Sequence, residues 1–322
     1  MNLWELCDHA TPWCIHIAAT LRIADHLQDG VNEIGQLAAA SGSDRDALQR
    51  VLRHLVSKGI FVELEPGRFA LNDVAQQFLG EPARLGLSLD GIGGRMAGAW
   101  STMPQAVRTG RPAYHEVFGR GFWDDLEAHP KIAEDFDALM GVAGHGAPDP
   151  EVLPKPEDWA SIRTVVDVGG GTGAMLAEIL RAHPTIRGTL VDLPRTIARS
   201  AEVFRNAGVA ERVRTSAQSF FDRLPGGADL YLLKNVLGDW PDPEATAILR
   251  RCAEAARPNG RVVAFTNVDT GEAPPELMML VLVGGRGRSL DEFRSLAREA
   301  GLEVQAIGRQ GSGRGIVECR PI

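Results

Sequence analysis

Cysteine is scarce in this chain: four occur in 322 residues, at positions 7, 14, 252 and 319, and none forms a CxxC pair. That excludes a disulfide scaffold and leaves free thiols in a reducing compartment as the expected state. Long hydrophobic runs are missing too; no stretch approaches the roughly 20 apolar residues that a spanning helix needs. The opening Met1-Asn2-Leu3-Trp4-Glu5 has neither the basic start nor the apolar core of a signal peptide. Positive charge is in deficit, with 34 Lys and Arg against 42 Asp and Glu, a net charge of -8 and a pI near 5.5. Nucleic-acid binders usually carry a basic face, so this balance argues against one. No His, Cys, Asp and Glu grouping has metal-ligand spacing. The expectation is a cytoplasmic protein with no membrane, nucleic-acid or metal partner.

What is present reads as three segments. Residues 1–84 open on a helical apolar stripe (Trp13, Ile17, Leu21, Ile23, Ala24, Leu27). A short helix from Ile34, a Ser41-Gly42-Ser43-Asp44 turn and a second helix bearing Leu48, Val51, Leu52 and Leu55 follow. Strands Ile60–Leu64 and Arg68–Leu71 about a Pro66-Gly67 turn complete a winged-helix order. Arg45, Arg50, Arg53 and Lys58 on the second helix allow a DNA-binding reading, but Asp44 and Asp46 stand at its start; packing and dimerisation are the preferred role. Residues 85–150 read as a helical connector, with helices over Met96–Val107, Gly121–His129 and Lys131–Val142. Its aromatic and thioether side chains supply core and, in part, the lining of an apolar ligand pocket. Four prolines in Ala147–Pro156 form a stiff boundary.

Over 151–322 strand and helix patterns alternate, predicting a doubly wound α/β sheet. Strands are expected at Thr164–Val168, Gly188–Val191, Val213–Thr215, Leu230–Leu233 and Arg261–Phe265. Helices are expected at Ala174–Ala182, Arg195–Asn206, Pro243–Ala256 and Ser289–Ala300, with a closing hairpin about Arg309–Arg314. Val165-Val166-Asp167-Val168-Gly169-Gly170-Gly171-Thr172-Gly173 is a strand running into a glycine turn and a helix, the cradle for an adenosine-containing ligand. Gly169-x-Gly171-x-x-Ala174 also satisfies the dinucleotide fingerprint, so the glycines alone leave the cofactor open. Asp167 at the strand end and the C-terminal hairpin favour S-adenosylmethionine. Asp192 ends the second strand, where an acid receives ribose hydroxyls.

With Leu233-Lys234-Asn235-Val236-Leu237-Gly238-Asp239-Trp240 and Met279-Leu280-Val281-Leu282-Val283-Gly284-Gly285-Arg286, the glycine stretch makes three motifs in order. The chain resembles the small-molecule O-methyltransferases that tailor aromatic natural products in actinobacteria. The resemblance covers nearly the whole chain. It implies a homodimer, a class I S-adenosylmethionine domain whose last strand is antiparallel, and an aromatic or polyketide-type substrate. It also implies cofactor roles for Asp167, Gly169, Gly171, Asp192, Leu193, Ser219, Phe220, Lys234 and Trp240, although the family usually has an acid where Ser219 stands. Trp123, Met140, Gly238, Met279 and Gly285 would line the substrate pocket.

One departure matters. Most plant and many bacterial members of the family carry the general-base histidine at the position of Gly238, and such a base is worth about 10²–10⁴-fold in rate. Methyl transfer can proceed by proximity alone, or with a substitute base: Asp239, Glu276 or His145, with His9 and His16 further candidates. Alternatively the protein holds the cofactor without transferring methyl, as a hydroxylase, decarboxylase or pericyclase. A ligand-responsive DNA-binding protein is the minor alternative.

Overall fold

The structure is a computed structural model and describes residues 3–142, 148–266, 276–311 and 315–322. It divides into two compact units, Met1–Gly98 with Leu126–Leu139, and Ala99–Asp125 with Met140–Ile322. The 85–150 stretch thus contributes to both.

In the first unit, α1 (Ala10–Thr20) ends before Arg22, whose φ of 51° is left-handed, so the opening apolar stripe is split between α1 and the short helix Ile23–Gln28. Helix α2 (Ile34–Ser41) stops at Gly42, φ 68°. Helix α3 (Arg45–Ser57) starts where the Asp44 carboxylate accepts the Ala47 N–H at 2.9 Å, and it buries Leu48, Leu52 and Leu55. The hairpin β1 (Val62–Glu65) and β2 (Arg68–Ala70) follows. Its first strand begins later than the sequence suggests because buried Phe61 turns the chain with φ 65°. Three of the four basic side chains in this region sit on carboxylates: Arg50 on Asp46 at 2.6 Å, Arg53 on Glu63 at 3.0 Å and Lys58 on Asp8 at 2.6 Å.

The expected helix Met96–Val107 is two helices, α4 (Ile92–Ala99) and α5 (Met103–Thr109), joined by a 3₁₀ turn at Trp100–Thr102. Pro104 causes the break: it has no N–H for the Trp100 carbonyl, and its ring would clash there. Helices α6 (Phe122–Ala128) and α7 (Pro130–Met140) fall close to their expected places.

The second unit is built on a seven-stranded sheet. Its strands are β3 (Thr164–Val168), β4 (Arg187–Asp192), β5 (Val213–Ala217), β6 (Leu230–Leu233), β7 (Arg261–Thr266), β8 (Leu302–Arg309) and β9 (Gly315–Pro321). The order is β5-β4-β3-β6-β7-β9-β8, and β9 alone runs against its neighbours. Near-continuous apolar strands fit a sheet covered on both faces. Val166, Val168, Tyr231, Leu233, Val262 and Ala264 pack under α10 (Asp242–Ala256) and α12 (Leu290–Glu299). Val165, Leu230, Leu232, Val263 and Phe265 pack on the other face, under α8 (Ala174–Ala182) and α9 (Pro194–Asn206). The hairpin joining β8 and β9 is formed, though residues 312–314 of its turn lie outside the described residues. Strand order reverses at β3, which has β4 on one side and β6 on the other; the crevice beyond the carboxyl ends there is where such sheets take ligands.

Candidate active site

Strands β3, β4, β5 and β6 each deliver part of the site at or just after the carboxyl end. After β3, Gly169 and Gly171 hold φ of 67° and 62°, a backbone that side chains rarely adopt. The Gly169 N–H donates to the Val191 carbonyl at 2.8 Å. A Cβ on Gly169 would press on Val236 at 2.8 Å and on the Phe220 ring at 3.3 Å, whereas one on Gly171 would meet no heavy atom within 4 Å. Gly171 therefore borders open space. The Gly171 N–H donates to Asp192 Oδ2 and the Leu193 N–H to Asp192 Oδ1, both at 2.8 Å. Burial raises the Asp192 pKa, against the lowering effect of these two donors.

Asp167 is buried in β3, and neither of its carboxylate oxygens has a hydrogen-bond partner of good geometry among the described residues. Its side chain turns under the loop so closely that a Cβ on Gly170 would collide with it. Burial lifts its pKa to about 7; the positive charge of half-buried Lys234, after β6, works against that rise. Phe220 lies against Gly169. Phe221, partly buried like Phe220, packs against the core and edge-on to Trp240 with centroids 4.9 Å apart, and the Arg251 Nε–H donates to its carbonyl at 2.8 Å. Ser219 accepts the Phe221 N–H at 3.2 Å.

The loop after β6 carries the second half of the site. Trp240 stacks on Trp123, with centroids 5.8 Å apart and planes at 16°, and meets Phe220 edge-on at 5.9 Å. Gly238 and Asp239 lie in a 3₁₀ turn, Leu237–Asp239. A Cβ on Gly238 would meet nothing within 4 Å, and its φ is not left-handed. Gly285 is different: its Cβ would collide with the Gly238 carbonyl oxygen and would stand 2.7 Å from the Asp239 Cα. Burial pushes the Asp239 carboxyl up to about 7, and the charge of Glu276 pushes the same way. Glu276 is the N-cap of α11 (Leu277–Leu282), which carries Met279.

Met140 ends α7 as an exposed side chain, and His145 lies outside the described residues. His9 is exposed and His16 Nδ1 is engaged with the Leu87 carbonyl at 2.7 Å; both belong to the first unit. Arg288, Asp242 and Val236 were absent from the expected set. Arg288 stands two residues beyond the third motif, and its charge so close to Arg286 was the available signal. Among the described residues no helix is long and apolar enough to cross a membrane, and no group of His, Cys, Asp and Glu could hold a metal ion.

Comparison with known proteins agrees with this arrangement. An O-methyltransferase domain model matches residues 100–303, and an O-methyltransferase dimerisation domain model matches residues 4–81. The chain is 39% identical to 2,7-dihydroxy-5-methyl-1-naphthoate 7-O-methyltransferase of Streptomyces carzinostaticus, over 95% of this chain and 93% of that protein. It is 38% identical to aclacinomycin 10-hydroxylase RdmB of Streptomyces purpurascens, over 96% of this chain and 86% of that protein. Among solved structures it resembles the neocarzinostatin O-methyltransferase NcsB1 in complex with S-adenosylmethionine and 2-hydroxy-5-methyl naphthoic acid. That match has a TM-score of 0.92 at 38% identity and covers 100% of this chain and 99% of the other. The chain belongs to the O-methyltransferase family, and its glycine-loop domain is that of an S-adenosylmethionine-dependent methyltransferase.

Proposed function

We propose that this enzyme methylates a hydroxyl of a fused-ring, polyketide-type aromatic acceptor, and that Asp239 takes the hydroxyl proton in place of the absent histidine. The observation carrying this reading is the Asp239 carboxyl, desolvated and raised further by the charge of Glu276, directly after a glycine whose missing side chain leaves open space. A base is most useful when its pKa lies near the working pH, and about 7 meets that condition.

The cofactor fits the other loop. An orphaned buried carboxylate, Asp167, stands beside three left-handed glycines, with Asp192 at the next strand end. Gly169, Gly171 and Asp167 would hold the methionine end, Asp192 and Leu193 the ribose, and Ser219 and Phe220 the adenine. Lys234 and Trp240 would close the wall of this pocket. S-adenosylmethionine supplies an electrophilic methyl on a sulfonium. Trp123, Trp240, Met279 and Gly285 would hold the acceptor ring, with its hydroxyl aimed at that methyl. Asp239 accepts the hydroxyl proton as the oxygen–carbon bond forms, and Glu276 keeps Asp239 basic. Met140 remains a proposed lining residue of the acceptor site, and His145 an alternative candidate for the base.

The 4–81 domain would pair two copies. Leu6 and Trp13 are 67 and 53% exposed in it, and Arg50, Arg53 and Lys58 are already matched by acids, which favours a protein partner over DNA. The expected place is the cytoplasm.

A second reading follows from the likeness to a 10-hydroxylase: the cofactor is held as a fixed positive charge and never consumed. Stoichiometry separates the two. Incubated with S-adenosylmethionine and 2,7-dihydroxy-5-methyl-1-naphthoate or a related hydroxynaphthoate, the enzyme should form one S-adenosylhomocysteine per methyl ether by mass spectrometry. Product formed without consumption of the cofactor would overturn methyl transfer.

A further inference from the structure

The turn at Leu237–Trp240 is weakly held by its own residues. Gly238 has no side chain, a 3₁₀ turn of three residues leaves carbonyls unmatched, and Pro241 has no N–H to donate. Within the turn the Leu237 carbonyl takes only a long bond from the Trp240 N–H, at 3.5 Å; the short ones come from elsewhere. Arg288 is 4% exposed, and its Nη1 donates to the Leu237 carbonyl at 2.7 Å while its Nη2 donates to the Trp240 carbonyl at 2.7 Å. These two oxygens bracket Gly238 and Asp239. The guanidinium is anchored through Nε to Asp242 Oδ1 at 2.9 Å. Arg286 braces the other oxygen of Asp242 at 2.9 Å and reaches Glu292 at 2.6 Å, and Glu292 caps α12 through the Ser289 N–H at 2.8 Å. Gly285, on the same segment, packs against the Gly238 and Asp239 backbone.

A buried cation is expensive to desolvate, and here hydrogen bonds to two carbonyls and a carboxylate offset that cost. Helix packing does not need such a device. A planar fork with fixed donor directions instead sets the distance between two points on a loop. We propose that Arg288 is a positioning residue for methyl transfer, holding the Gly238–Asp239 backbone where the acceptor hydroxyl meets it. The part of this inference that routes through Asp239 rests on the proposed base; the fixing of the loop does not.

Arg288→Met keeps the aliphatic stem and removes the fork. Hydrogen exchange followed by mass spectrometry should quicken about tenfold or more in peptides covering 237–240, with β3 peptides unchanged. With the hydroxynaphthoate acceptor, kcat should fall on the order of 100-fold, as misplacement of reacting groups by about 1 Å can cause. KM should move by less than about threefold, and Arg288→Lys should recover part of kcat. Unchanged exchange at 237–240 overturns the proposal. If exchange in β3 also quickens, the variant has loosened generally and Asp242→Asn decides. That change lies at a more exposed side chain; it removes the charge that anchors Arg288 and braces Arg286 and leaves the fork itself in place. It should give the same local pattern at smaller size, and no local change there overturns the proposal.

The Asp239→Asn variant separates the two readings. If it loses activity and adding Arg288→Met costs nothing further, Arg288 acts through Asp239. Losses that multiply overturn that route. Should Asp239→Asn be as active as the parent while Arg288→Met is slow, the base assignment fails and the positioning role stands.

Discussion

The loop after β3 and the loop after β6 end adjacent strands, yet they are fixed by opposite means. The first is held by its own backbone: three glycines with positive φ, a hydrogen bond to β4 and the carboxylate of Asp192. The second is held from a distance of about fifty positions in the chain, by the Arg288 fork and by the close approach of Gly285. A nucleotide-type ligand needs the same cradle whatever the acceptor is, so a locally encoded loop suffices. The acceptor end must fit one substrate, and a loop positioned by separate side chains can be retuned without disturbing the cofactor.

Four experiments press on that contrast, from the largest effect to the smallest. Gly285→Ala drives a methyl into the Gly238 carbonyl, so the second loop must shift. A cost of about 3 kcal/mol in stability and a fall in kcat on the order of 100-fold are expected, by denaturant titration and steady-state kinetics. Cofactor affinity that falls as far as kcat would show that the two loops are not separately held. Asp239→Asn should lower kcat by about 100-fold above neutrality. In the parent enzyme the rate should rise as pH passes through about 7, because the base works when deprotonated; that limb should vanish in the variant.

Asp167→Asn tests the first loop through stability. Burial raises this carboxyl to about 7 in the folded chain from 3.8, so the folded state binds the proton more tightly than the unfolded state does. The stabilisation from that proton is whole below about pH 4 and is lost as pH rises through 7. The cofactor-free variant should therefore exceed the parent in stability by about 4 kcal/mol at pH 8 and lose the advantage near pH 4. A variant less stable at pH 8 would mean that the Lys234 charge outweighs burial. Gly238→Ala is the mildest change. Its Cβ enters open space at an ordinary φ, so the melting temperature should stay level or rise with a gain of about 0.5 kcal/mol. Only acceptors with a substituent at that point should bind less well.

The contrast also explains what could be read from the sequence. Strand β3 and helix α8 stand at their expected residues, because a buried apolar run, a glycine turn and a 3.6-residue stripe are all local signals. Gly238 announced itself by lacking the usual side chain. Arg288 did not, since its partners are carbonyls of Leu237 and Trp240, which any residues could supply. Pro104 carried a local signal for the break between α4 and α5 that the apolar pattern masked. In the first unit the Asp46–Arg50 pair is one helical turn apart and legible, whereas Lys58 finds Asp8 only after folding.

The placement of β9 has a kinetic consequence. Among the described residues strand β8 pairs with β9 and with no other strand, and β9 pairs with β7. The edge strand is therefore completed by residues that follow it in the chain. Until 315–321 are made and inserted, β7 exposes a bare strand edge and β8 has nothing to pair with. The nascent enzyme passes through a stage with its cofactor loop encoded but its sheet open on one side. Over that interval, self-association at the β7 edge competes with correct closure.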